Sequence, residues 1–148
     1  MAPKNKVLLL SILIFACCRA QAQVNPEERI KGLWLSEAKD GKIEIFHTGH
    51  TWSGKLLWGK YVFDKNGKPN HDIHNPDPKL RDRLLQGMII LTGLEYEDGK
   101  WHNGTIYDPI SGKSYNVTIT VKGNNMELRG YIGVPMLGKT TTWQRVVE

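Results

Sequence analysis

A two-residue alternation near the C-terminal end constrains this chain more than any other feature. In the run 114–121, Tyr115, Val117, Ile119 and Val121 fall on one side, while Ser114, Asn116, Thr118 and Thr120 fall on the other. In the next run Met126, Leu128, Gly130, Ile132 and Val134 alternate with Glu127, Arg129 and Tyr131. Successive side chains of a strand point to opposite faces, so each run reads as a β-strand with one apolar side. Lys122-Gly123-Asn124-Asn125 between them is a tight hairpin connection.

Earlier stretches read the same way. Residues 32–36, 42–46, 52–61, 88–96 and 104–107 favour strands, and 139–147 closes the series. Lys39-Asp40-Gly41, Thr48-Gly49-His50 and Asp98-Gly99 supply turns between them. The expectation is an all-β domain of about eight sequential antiparallel strands, enough to close a sheet on itself as an up-and-down barrel. One segment breaks the rhythm. Residues 63–86 are polar and carry Asn66-Gly67, Pro69, Asn75-Pro76 and Asp77-Pro78. Asp77 suits a helix N-cap, Pro78 the first helical position and Gly87 the residue past the end, which predicts one short helix over Pro78–Leu85 on a long connection. Arg81 and Arg83 would then lie in its body or last turn, where the helix dipole favours cations.

Residues 1–22 belong to a different class of segment. Lys4 and Lys6 precede an apolar run from Val7 to Cys18, and Ala20-Gln21-Ala22 gives a small-residue cleavage pattern before Gln23. The apolar run is shorter than the roughly 20 residues that a spanning helix needs. The expectation is a cleaved signal peptide over residues 1–22, one domain over residues 23–148, and a periplasmic or secreted location with no transmembrane segment. Cys17 and Cys18 lie inside this leader, and the residues before each do not fit a lipoprotein signal. Cleavage after Ala22 would leave a chain without cysteine, which must hold together in an oxidising compartment by its core alone. It would also take away Lys4, Lys6 and Arg19 and no acid, lowering the formal charge from +5 to +2. The remaining charges are spread along the chain, so no nucleic-acid partner is expected.

Several stretches, taken in order, resemble a bacterial family, the domain-of-unknown-function family 2147. They are Gly32-x-Trp34, Gly54-Lys55-Leu56-Leu57-Trp58, the run from Asp72 to Arg81, Gly87-Met88-Ile89-Ile90-Leu91 and the run from Gly104 to Pro109. Gly112-Lys113-Ser114-Tyr115, Arg129-Gly130-Tyr131-Ile132-Gly133 and Thr142-Trp143-Gln144-Arg145 complete the set. The resemblance covers residues 30–147 and implies an exported, lipocalin-like barrel without an established activity. Lipocalin-type barrels open on Gly-x-Trp packed against an Arg from the last strand, which implies a closure role for Gly32, Trp34 and Arg145. A guanidinium over an indole face can plug the narrow end while donating to terminal carbonyls.

No stretch carries a specific catalytic or metal-binding pattern. His71, Asp72, His74 and Asp77 offer nitrogen and oxygen donors, but their spacing matches no metal motif, and turn chemistry is the better reading: Asp77 caps a helix, Asn75-Pro76 turns the chain and Asp72 satisfies loop amides. Asp108-Pro109-Ile110-Ser111-Gly112 is what a hairpin turn needs. Gly112-Lys113-Ser114 is no P-loop, because Tyr107 stands where that pattern requires glycine. Neither catalytic residues nor a metal or other cofactor are therefore assigned. The expected function is a monomeric binding module that takes a small apolar or amphipathic ligand at an open barrel mouth. Trp58, Asp72, Asn75, Asp77, Arg81, Tyr107, Asp108, Lys113 and Tyr131 are the candidate mouth residues, because they belong to the motifs that carry the family resemblance and core packing alone explains their polarity poorly. The rivals are an interaction protein with a filled barrel and an envelope enzyme, and a hollow interior separates the first reading from the second.

Overall fold

The computed structural model describes residues 25–147; the leader expected over residues 1–22 lies outside them. A short 3-10 turn, Pro26–Ile30, leads into eight strands: β1 Gly32–Ser36, β2 Gly41–Thr48, β3 Thr51–Gly59, β4 Ile89–Glu97, β5 Lys100–Asp108, β6 Lys113–Lys122, β7 Asn125–Tyr131 and β8 Lys139–Val146. Each pairs antiparallel with its sequence neighbour, and β8 returns to β1 with Leu33 opposite Val146 and Ser36 opposite Trp143. The sheet is therefore a closed barrel. Register shifts in β2–β3, β3–β4 and β5–β6 bend the strands enough to close it.

The alternation of β6 and β7 is realised as read. Val117, Ile119, Val121, Met126 and Leu128 are buried, while Ser114, Asn116 and Glu127 face solvent. Three differences from the sequence reading have local causes. β7 stops at Tyr131 and leaves Ile132 and Val134 exposed, because Gly133 (φ 76°) turns the chain toward a further 3-10 turn, Pro135–Leu137. The helix expected over Pro78–Leu85 is only a single 3-10 turn, Pro78–Leu80. Its N-cap is as expected, with the Asp77 carboxylate accepting from the Lys79 amide. The helix goes no further because the Asp72 amide donates to the Arg83 carbonyl and His71 bridges Leu84, so the chain after Arg81 is held as a partner to residues 70–72. Gly87 (φ 78°) accordingly ends no helix; its amide donates to the Leu56 carbonyl and returns the chain to the barrel wall.

The two ends of the barrel differ. At one end lie the 3-10 turn Pro26–Ile30 and the short hairpins β2–β3, β4–β5 and β6–β7. Trp34, Trp52 and Trp101 fill the interior there with Ile30, Ile43, Leu94, Val117 and Met126, all essentially inaccessible to solvent. Gly104 permits this packing: a Cβ at that position would meet Leu94 Cδ2 at 2.6 Å. The Arg145 guanidinium lies 4.3 Å from the Trp34 ring centroid and donates to the carbonyls of Lys31 and Arg29. Trp34 Nε1 donates to the Ile30 carbonyl at 2.8 Å. Gly32, Trp34 and Arg145 thus stand together at the packed end. At the other end lie the β1–β2 turn, the long excursion 60–88, the β5–β6 turn and the β7–β8 connection.

Candidate functional site

Several positions lining the second end are small. Gly41, Gly130 and Thr141 stand there, whereas the packed end is filled by tryptophan, isoleucine, leucine, valine and methionine. The interior empties accordingly into a cavity of about 630 Å³. Leu56, Val62, Leu85, Ile90 and Leu128 are its buried apolar wall, continuous with the core cluster. Ile106, Tyr107, Tyr115 and Trp143 pack against that cluster or line the cavity while keeping partial solvent access. Trp143 Nε1 donates to Thr141 Oγ1 at 3.0 Å, so its one polar atom is satisfied and its ring remains an apolar wall. The polar groups at the edge include Asp40, Lys60, Asp108 and Lys139. A smaller cavity of about 340 Å³ lies between the excursion and the β5–β6 turn, lined by Tyr61, His71, Ile73, His74 and Ile110 among others.

Above the cavity the excursion is fastened by one fully buried carboxylate. Asp72 accepts from Tyr107 Oη of β5 at 2.6 Å, from Asn75 Nδ2 at 2.8 Å and from Arg83 Nε at 2.9 Å. Arg83 Nη2 lies 2.9 Å from the same carboxylate oxygen as Nε, and its guanidinium sits 5.6 Å from the Tyr107 ring centroid. A buried charge persists only when paired and hydrogen-bonded, and Asp72 has both an ion pair and further donors. Asn75 continues the network: its Oδ1 accepts from the Asp77 amide, and its carbonyl accepts from Arg81 Nε at 2.8 Å. The β5–β6 turn presses on the same loop. Asp108 accepts from the Ile110 amide and the Ser111 hydroxyl, and the Gly112 amide donates to the Asp108 carbonyl.

Burial, then the hydrogen bond to and the charge of Asp72, push Tyr107 from 10.0 up to about 12, with Arg83 and Asn75 pulling the other way. The folded chain therefore holds this proton more tightly than the unfolded one. The resulting stability is present below the unfolded value near 10 and is lost as pH rises toward 12. Urea unfolding at about pH 9 and about pH 11 is expected to show a decline that is shallower in Tyr107→Phe. An equal decline in both proteins would assign it to other groups.

Of the candidate mouth residues, Tyr107 and Asp108 line the large cavity. Asp72, Asn75, Asp77 and Arg81 are brought together, but as the internal bracing of the excursion. Trp58 is exposed beside Lys42 of β2, Lys113 is exposed at the start of β6, and Tyr131 is half-buried at the end of β7. The residues that sequence reasoning missed are the apolar ones, among them Leu56, Leu85, Ile90, Leu128 and Trp143. The alternation gave their face, and the small residues Gly130 and Thr141 at the same end of β7 and β8 were the available sign of an unfilled interior.

A closed antiparallel barrel, packed at one end and open to an apolar cavity at the other, is the architecture of lipocalin-like proteins. Residues 32–145 match the family model described as an uncharacterized protein conserved in bacteria, domain-of-unknown-function family 2147, and the chain belongs to that family. Among solved structures it is similar to a protein from the human pathogen Helicobacter pylori that belongs to the lipocalin family. The TM-score is 0.68 and the identity 25%, covering 80% of this chain and 83% of that one. Among curated proteins no sequence matches.

Proposed function

We propose that this chain is an exported binding module, periplasmic or secreted, that takes a small apolar or amphipathic ligand into the open end of its barrel. The observation that carries the reading is the cavity of about 630 Å³ with its apolar wall. Ligand sites are concave, largely apolar and about 300–1,000 Å³, with a few polar groups that fix orientation. Export is supported by the basic, then apolar, then Ala20-Gln21-Ala22 pattern of the first residues.

Native mass spectrometry of the folded chain purified from its host is expected to show a retained small molecule, and the chain should take up an apolar fluorescent probe. Thr141→Trp places an indole in the cavity from a solvent-accessible position and should weaken probe uptake by roughly tenfold or more; the Trp143 Nε1 donor it frees is exposed and regains water, so melting temperature should fall only slightly. A chain that retains nothing and takes up no probe, or a Thr141→Trp variant that binds as the parent does, would overturn the reading.

A further inference from the structure

The exposed large apolar side chains of this barrel are gathered at one end. Ile132, Val134, Met136 and Leu137 on the β7–β8 connection, Ile110 on the β5–β6 turn and Ile73 on the excursion all belong to the open rim. Apart from Val147 beside the chain end, the packed end shows none among the described residues. Met136 is 89% and Leu137 82% exposed. They are not on a loose loop. The Arg129 guanidinium donates to the carbonyls of Pro135 and Met136 and to Thr140 Oγ1, so three hydrogen bonds hold the connection in the shape that presents them. Exposed apolar side chains gathered at one end, part of them on a connection held in shape, mark an interaction site.

The charge around them selects the partner. Segments 37–40, 60–88, 108–113 and 129–139 hold ten Lys and Arg against seven Asp and Glu. Segments 25–31, 47–51, 95–102, 122–127 and 144–147 at the packed end hold five against six. Most of the acids at the rim are turned onto their own surroundings. Asp40 accepts from Ser36, Asp64 from the amides of Asn66 and Lys68, Asp77 from Lys79, Asp108 from Ile110 and Ser111, and Asp72 is paired with Arg83. Glu37 and Asp82 complete the acidic set. Lys60, Lys65, Lys68, Lys79, Lys113 and Lys139 form no ion pair among the described residues. Protruding apolar side chains set among unpaired lysines match an anionic lipid surface, where headgroups take the ammonium groups and the apolar tips enter the acyl boundary.

We infer that the open rim is a docking face for an anionic membrane surface, with the cavity mouth turned toward the lipid. This inference stands on the rim alone and holds whether or not the cavity carries a ligand. The test is co-sedimentation of the folded chain with vesicles of phosphatidylglycerol and phosphatidylethanolamine, against vesicles of phosphatidylcholine. Association is expected to be roughly tenfold stronger with the anionic vesicles and to fall as salt is raised. Met136→Glu with Leu137→Glu should reduce it by roughly tenfold, and Lys65→Glu with Lys79→Glu should do likewise. All four side chains are exposed, so melting temperature should hold. Equal association with both kinds of vesicle, association with neither, or unchanged association of both double variants would overturn the inference. Capture of a protein by this rim without vesicle binding would overturn it in the same way.

Discussion

Asp72→Ala is expected to destabilise the protein by about 3 kcal/mol, read as a lower urea midpoint at unchanged slope. The carboxylate is wholly buried and accepts from Tyr107, Asn75 and Arg83, which come from β5 and from two separated parts of the excursion. Removing one partner of a buried ion pair costs about 3–5 kcal/mol because the other charge is left uncompensated. The Arg83 side chain is 38% exposed and regains water, which places the loss at the low end of that range. Tyr107 Oη and Asn75 Nδ2 have less access and carry most of the remainder. Asp72→Asn keeps the shape and an acceptor while removing the charge, so it should lose less than the alanine. If the excursion undocks before the barrel unfolds, hydrogen exchange across residues 70–85 will quicken more than exchange in β6. A loss below about 0.5 kcal/mol for the alanine would mean that solvent already satisfies these donors.

Asp72 also marks where the sequence stopped being readable. Strand positions were legible because alternation is local: Tyr115 to Val121 and Met126 to Gly130 state their inward face without reference to the rest of the chain. The Asp77 cap and the Asp108 turn were legible for the same reason, each being satisfied within a few residues. The helix over Pro78–Leu85 was not, because a segment that short has little helical stability of its own, and the pairing of Asp72 with Arg83 and of His71 with Leu84 decides its path. Asp72 stands out in the sequence as a polar residue of the rim, yet two of its partners, Arg83 and Tyr107, are distant along the chain. Tyr107 reaches a residue 35 positions away. An empty interior is less local still. Leu128 and Trp143 face inward whether or not anything faces them, and the missing bulk belongs to Gly41, Gly130 and Thr141, which only the closed sheet brings together from β2, β7 and β8.

Gly112→Ala is expected to cost about 3 kcal/mol, from about 1–2 for an alanine held at positive φ and about 1–3 for overpacking. Gly112 sits at φ 70°, and a Cβ there would stand 2.1 Å from the His74 carbonyl oxygen. That obstacle is backbone of the excursion, so no rotamer change relieves it; either the β5–β6 turn or the loop 71–77 must move. Gly87→Ala is the matching control, with φ 78° and nothing within 4 Å of the added carbon, and it should cost only the backbone part, about 1–2 kcal/mol. The difference between the two variants measures how firmly the excursion is seated on the β5–β6 turn. The cavity depends on that seating, since Tyr61, Val62 and Leu85 of the excursion and Pro109 and Ile110 of the turn all line it. Gly112→Ala should therefore speed the release of a bound apolar probe by roughly tenfold or more, while Gly87→Ala leaves release unchanged. Equal stability losses in the two variants, with equal release rates, would show that the contact at His74 yields without cost and that the excursion is no gate to the barrel.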